Sequence, residues 1–260
     1  RGGGGGRFFL RRLDIPKSQH DQIERMAKGK NLLAITGHAP PHASNRICYG
    51  GTMIIIPYES IELEGKESIH EACDRIKRTQ KHAQKGRYTT AAMRVKGHAR
   101  KLIAAYAPAQ PATRPDYLKF LARCITRHTV LGIDANCVPD PTKDVKSDAR
   151  TPYPNRGADI LRDAVDTKDL SDVVREVAGD TPHFTSHHVG SSGSCWTRID
   201  QIYAPRTPGT HYTIGDTRDI FRRTSGVEVD HTMVDVRTKE VKPKRGTDLP
   251  RVNELSLIHI

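Results

Sequence analysis

No stretch of this 260-residue chain approaches the roughly 18 consecutive apolar residues that a membrane helix requires, and its opening Arg1-Gly2 to Gly6-Arg7 has no apolar signal region. A soluble chain with no membrane partner is expected. Cysteine is sparse and irregularly placed: Cys48, Cys73, Cys124, Cys137 and Cys195 are odd in number and contain no Cys-x-x-Cys pair. That pattern argues against a disulfide framework or a zinc ribbon and fits a reducing, intracellular setting. Acidic residues are also short, 30 against 42 Lys and Arg, which leaves a net charge of +12. Neutralised phosphates release their counterions, so such a balance favours a polyanionic partner. The shortage is complete between Arg75 and Lys101, where ten Lys or Arg residues meet no Asp or Glu. A solvated basic helix and a nucleic-acid surface both fit that run.

What the chain does contain is enough apolar sequence, 36%, for the core of one α/β domain. Strands are expected over Phe8 to Ile15, Asn31 to Ile35 and Thr52 to Ile56, with a helix from Ser18 to Lys28 between the first two. A basic helix from about Glu67 to Lys85 carries an apolar stripe of Ile69, Ala72, Cys73 and Ile76. Thr89 to Val95 and Lys101 to Tyr106 form a hairpin turning at Lys96-Gly97-His98. Then come a helix from Pro115 to Arg127, a strand from Val130 to Ile133, a short helix from Asp159 to Val165, and strands at Ile199 to Tyr203 and Val229 to Val236. Strands in close succession pair antiparallel, so two mixed sheets packed face to face and flanked by helices are expected. Low-complexity sequence is confined to the ends. Residues 1–7 read as a Gly-rich flexible start, 8–236 as the packed domain, and 237–260 as a basic linker. The closing Leu255 to Ile260 reads as the in-frame translation of a sequencing-library adapter, a cloning scar on an incomplete translated fragment.

The polar groups that carry chemistry sit at or beside apolar runs. Thr129 to Ile133 delivers Asp134 and Asn136, two residues apart, to a strand end. Tyr106-Ala107-Pro108 precedes it, and Arg198-Ile199-Asp200 and Asp230-His231 follow, each at or beside its own strand-like run. Taken singly, Asp134-x-Asn136 reads equally as a turn after a strand, and Tyr106 as a core residue with a bonded hydroxyl.

In this order and spacing the segments resemble the endonuclease/exonuclease/phosphatase superfamily, and within it the apurinic-type endonuclease domain of non-LTR retrotransposons. Gly50-Gly51-Thr52, Gly86-Arg87-Tyr88 and His183-Phe184-Thr185 add smaller matches, and the resemblance covers roughly residues 8 to 236. It implies an α/β, four-layer sandwich and Mg²⁺-dependent nicking of DNA, with Mn²⁺ as a possible substitute metal. The 3′ hydroxyl would be left for a reverse transcriptase in cis, in the nucleus, by a monomeric domain. By the same resemblance Asp134 and Asn136 activate and orient the attacking water, Tyr106 and His231 contact the phosphate, and Asp200 orients His231. Asp230 and Asp14 would face the metal, and Arg87 and Arg198 the nucleic acid.

Two departures from that family stand out. Asp14 stands where the first strand ends in Asn, and Ala34-Ile35-Thr36-Gly37-His38 reads as the Glu-Thr-His type segment with its metal-binding Glu missing, Thr36 or Gly37 in its place. Loss of that ligand predicts impaired cleavage, which makes a non-catalytic DNA-binding remnant the alternative from another class; a phosphatase or phosphodiesterase is the alternative within the superfamily. His183, His187, His188 and Cys195 lack the compact paired spacing of a zinc site. Trp196, the single Trp, is expected to pack in the core or at its rim.

Overall fold

A computed structural model describes residues 7–13, 17–37, 51–95, 97–148, 152–190, 193–206, 210–215, 234–240 and 254–259, with side chains within 21–206. In chain order, β1 (Arg7–Leu13) and helix α1 (Lys17–Gly29) precede β2 (Leu32–Gly37) and β3 (Gly51–Pro57). Helix α2 (Ile69–Arg78) leads to β4 (Lys81–Ala83), and β5 (Tyr88–Val95) turns back into β6 (His98–Tyr106). Helix α3 (Arg114–Cys124) and β7 (Thr129–Asp134) follow, then α4 (Pro141–Asp144), β8 (Val145–Ser147), α5 (Ala158–Thr167), β9 (Leu170–Asp172) and α6 (Val173–Ala178). The rest is strand: β10 (Ser186–Gly190), β11 (Gly193–Thr197), β12 (Asp200–Pro205), β13 (Thr210–Gly215), β14 (Val234–Glu240) and β15 (Glu254–His259). No helix among the described residues is long and apolar enough to cross a membrane.

These strands make two six-stranded sheets, β13-β14-β15-β1-β3-β2 and β4-β5-β6-β7-β12-β9, and a small third sheet, β10-β11-β8. Only β1 with β15 and β6 with β7 pair parallel; the other described pairs are antiparallel. The period-2 alternation of each strand decides which side chains meet. From β2 and β3, Leu33, Ile35, Ile54 and Ile56 face the second sheet, where they join Met93, Leu102, Val130 and Ile202 in the central core. The opposite face of β2 and β3 puts Ala34 and Met53 under Ala27 of α1. The opposite face of the second sheet puts Ile103, Leu131 and Ile133 under Leu118, Leu121, Leu161 and Val165 of α3 and α5. Helix, sheet, sheet, helix is the four-layer α/β sandwich expected from the sequence.

Two expected boundaries move. Helix α2 keeps its apolar stripe, with Ala72, Cys73 and Ile76 buried, but stops at Arg78 rather than near Lys85. The Thr79 hydroxyl donates to the Ile76 carbonyl (2.7 Å) and accepts from the Ala92 amide (2.7 Å), which ties the chain to β5 and starts the β4 ladder. At the other end, 237–240 and 254–259, expected outside the packed unit, are strands: β15 lies between β1 and β14. A ladder needs only backbone N–H and C=O groups, which any extended segment supplies. Asp14, Asp230 and His231 lie outside the described residues.

Candidate functional site

Strands β6, β7 and β12 are neighbours, and their register sets Tyr106 opposite Asp134 and Asp134 opposite Asp200. Directly paired residues share a face. Two positions further in, and so on the same face, Ala104, Gly132 and Ile202 form the next row, and Ala104 and Ile202 belong to the central core between the sheets. The row Tyr106–Asp134–Asp200 therefore lies on the inter-sheet side, where the strands stop. All three residues are buried. The chain is clamped just past the strand ends: the Ala107 amide donates to the Asp134 carbonyl (2.8 Å) and the Ala135 amide to the Ile199 carbonyl (2.8 Å).

Asn136 completes the group. Its backbone is left-handed (φ 48°), a conformation Asn tolerates better than most residues. Its amide donates to Asp134 Oδ1 (3.3 Å), its Nδ2 to the Ala107 carbonyl (2.9 Å), and its own carbonyl accepts from the Tyr153 hydroxyl (3.1 Å). The local turn and the presentation of a carboxylate and an amide are thus one structure. Supports that the sequence did not flag hold it from behind. Gln201 Nε2 donates to the Cys137 carbonyl (2.6 Å), Asn155 brackets Val138 through both its amide atoms, and Thr185 Oγ1 accepts from the Asp200 amide (3.0 Å). Only Thr185 had a signal, its place in His183-Phe184-Thr185. Burial pushes the Cys137 thiol up to about 12, so it stays protonated at neutral pH.

Arg87 supplies positive charge beside this row. Its carbonyl accepts from the Tyr117 hydroxyl (2.6 Å) and the Tyr106 amide (2.9 Å), which fixes the backbone. Its guanidinium carbon stands 4.5 Å from the centre of the Tyr106 ring. Nη1 is buried with no hydrogen-bond partner among the described residues. A half-buried guanidinium with an unspent donor, held on an aromatic face, is suited to an anionic oxygen.

Arg198 does not join it, and the expectation of a nucleic-acid contact there is corrected. It is fully buried and makes forked bonds to two carboxylates: Nε and Nη2 to Asp144 (2.7 and 3.0 Å), Nη1 and Nη2 to Asp172 (3.1 and 2.8 Å). Burial works against its charge, yet Asp172 and Asp144 outweigh that, and its pKa moves up. Arg175 pairs with Asp144 as well. Arg198 thus ties α4 and β9 together two places before Asp200.

The basic run from Arg75 to Lys101 divides similarly. Arg75 is tied to Glu67 and Glu64, Lys77 to Glu24, and Lys101 donates to the Cys124 carbonyl (2.7 Å). Arg78, Lys81, Lys85 and Arg94 remain exposed. His187 stacks on Trp196 with ring centres 3.5 Å apart on the small third sheet, which leaves Trp196 at the rim.

Among the described residues no group of three or more His, Cys, Asp or Glu could hold a metal ion. The second strand explains part of this. Thr36 points away from the row, and its hydroxyl donates to Glu24 Oε1 (3.1 Å), so the inward position is Gly37, which has no donor to offer. Asp14 and Asp230, the residues that the family resemblance assigns to the metal, lie outside the described residues.

No protein-family model matches the chain, and no curated protein sequence matches it. Among solved structures it is similar to the endonuclease domain of TRAS1, a telomere-specific non-LTR retrotransposon, at 12% identity over 88% of this chain and 95% of that one (TM-score 0.47). It is also similar to D. rerio TDP2 complexed with single-strand DNA product, at 14% identity over 80% and 76% (TM-score 0.45). A third is ANGEL2, a 2′,3′-cyclic phosphatase, at 11% identity over 79% and 71% (TM-score 0.42). Similarity this distant leaves the chemistry to be argued from the residues themselves.

Proposed function

We propose that this chain is a DNA endonuclease domain of the retrotransposon type, built to bind a phosphodiester and deliver water to its phosphorus. The observation that carries this is the buried row Tyr106–Asp134–Asp200, with Asn136 and Arg87 beside it, on three adjacent strand ends. A carboxylate next to an amide can take a proton from water while fixing its direction. A guanidinium and a phenol on the adjacent strand can hold the phosphate oxygens as charge builds on them. In this reading Asp134 is the base, Asn136 orients the water, and Tyr106 and Arg87 contact the phosphate. Asp200 orients His231, the second phosphate contact. Mg²⁺, or Mn²⁺ in its place, and a reverse transcriptase in cis belong to the same reading as what the resemblance implies, as does action on genomic DNA in the nucleus. When bound, the metal would offset charge building on the phosphoryl oxygens, and the roles above are those of the chain's own residues. One observation favours a second reading, a DNA-binding remnant without turnover: Gly37 gives the inner face of β2 no carboxylate.

Incubation of supercoiled plasmid with the protein, with and without Mg²⁺ or a chelator, tests both. Nicking that needs the metal and disappears in Asp134→Ala is the expected result for the endonuclease. Salt-sensitive binding without nicking selects the remnant, and absence of both sinks the nucleic-acid reading altogether.

A further inference from the structure

A β-carbon built on Gly37 would lie 2.0 Å from Thr89 Oγ1, 3.1 Å from Thr52 Oγ1 and 3.3 Å from His82 Nδ1. The first distance is far inside any contact that real side chains make. Those neighbours are not loose ends that can swing aside. Thr52 Oγ1 and Thr89 Oγ1 share a hydrogen bond of 2.7 Å, Thr52 Oγ1 also donates to the Gly86 carbonyl (2.9 Å), and His82 Nδ1 stands 3.2 Å from Thr89 Oγ1. Thr89 is fully buried and β-branched, so rotating its hydroxyl away from Gly37 means abandoning both partners in a stiff side chain. Thr52 is on β3 and Thr89 on β5, so the bond between them joins the two sheets of the sandwich directly.

We infer that the end of β2 is a sealed inter-sheet contact: Thr89 holds position 37 to glycine, and a carboxylate can return there only when Thr89 gives way. The seal deepens the endonuclease reading, on which it rests for the carboxylate being compared; otherwise it is a matter of packing. Loss of the β2 ligand is then built into the core as a hydrogen-bonded cluster that takes up the space a ligand's stem would need. Rebuilding Glu at Thr36 would fail for a different reason, since that side chain faces Glu24 of α1.

Thermal melting of Gly37→Ala, Thr89→Ala and the double variant tests the packing. Gly37→Ala should melt at least about 4 °C below the parent, and adding Thr89→Ala should recover most of the loss, whereas Thr89→Val, which puts a methyl where the hydroxyl was, should not. A Gly37→Ala protein that melts with the parent overturns the seal, and so does a deficit that Thr89→Ala leaves untouched. For the carboxylate, Mg²⁺ alone is the probe. Gly37→Glu with Thr89→Ala should melt higher in millimolar Mg²⁺ than in chelator, and Gly37→Glu alone should not. Equal response of the two, present or absent, overturns the claim that Thr89 bars the ligand. Plasmid nicking and DNA binding by the parent do not enter this comparison, so the endonuclease reading can fail while the seal stands.

Discussion

Two arginines of similar sequence setting part company in this structure. Arg87 keeps an unspent donor beside Tyr106, whereas Arg198 spends its donors on Asp144 and Asp172. Arg87→Met should therefore weaken DNA binding several-fold on any sequence and lower the slope of log affinity against log salt by about 1, as loss of one phosphate contact does, with melting unchanged. Anisotropy titrations at several salt concentrations measure both quantities, and an unchanged slope would remove Arg87 from the DNA surface. Tyr106, Asp134 and Asp200 were legible in the sequence because a polar residue that closes an apolar run is carried to a strand end by the run itself. Arg198 was not. Its neighbours in sequence reveal nothing of Asp144, 54 residues away, which decides whether the guanidinium is free.

At the scale of elements, α4, β9 and the start of β12 are joined through that same arginine. Asp144 is fully buried and pairs with Arg198 and Arg175, and its backbone carbonyl accepts from the Arg198 amide (3.0 Å). Removing one partner of a buried ionic pair strands the other charge, so Asp144→Asn should cost about 3–5 kcal/mol in a denaturant titration. A loss below about 1 kcal/mol would mean that Asp172 alone satisfies Arg198. Helix α2 offers a test by pH. Ser68 and Glu71 form a capping box, and Ser68→Ala should cost about 1 kcal/mol. The Ser68 amide and hydroxyl hold the Glu71 carboxyl below its ordinary value of 4.5. A carboxylate depressed by folding adds stability that is present above its unfolded pKa and fades as pH falls through the folded one. The melting difference between the parent and Glu71→Gln should accordingly persist at neutral pH and close in acid, below the ordinary carboxylate range. A difference that is constant with pH would show that the box does not depend on the charge. The length of α2 was misread for a physical reason: its basic residues continue past Arg78, but composition does not mark a helix end, and the hydroxyl of Thr79 does.

For the whole molecule, the four layers followed from alternation: each strand of β2, β3, β6 and β7 has an apolar residue for both faces, so both faces had to be covered. Strand order did not follow from it. That β15 parts β1 from β14 depends on which backbone edges meet, a choice that periodicity does not encode. The excess positive charge, likewise, was legible as a total and not as a surface, because Arg75, Lys77 and Lys101 are taken up by partners within the fold.

The contact between Gly37 and Thr89 also bears on descent. Where one residue bars a larger neighbour, a lineage can leave a functional state one substitution at a time and yet be unable to retrace the path: glycine at 37 leaves room for the Thr89 hydroxyl, but Thr89, once present, makes every larger residue at 37 a burden. Copies of such a domain that lost the carboxylate would drift together at both positions, and revertants would be found only where position 89 had first become small.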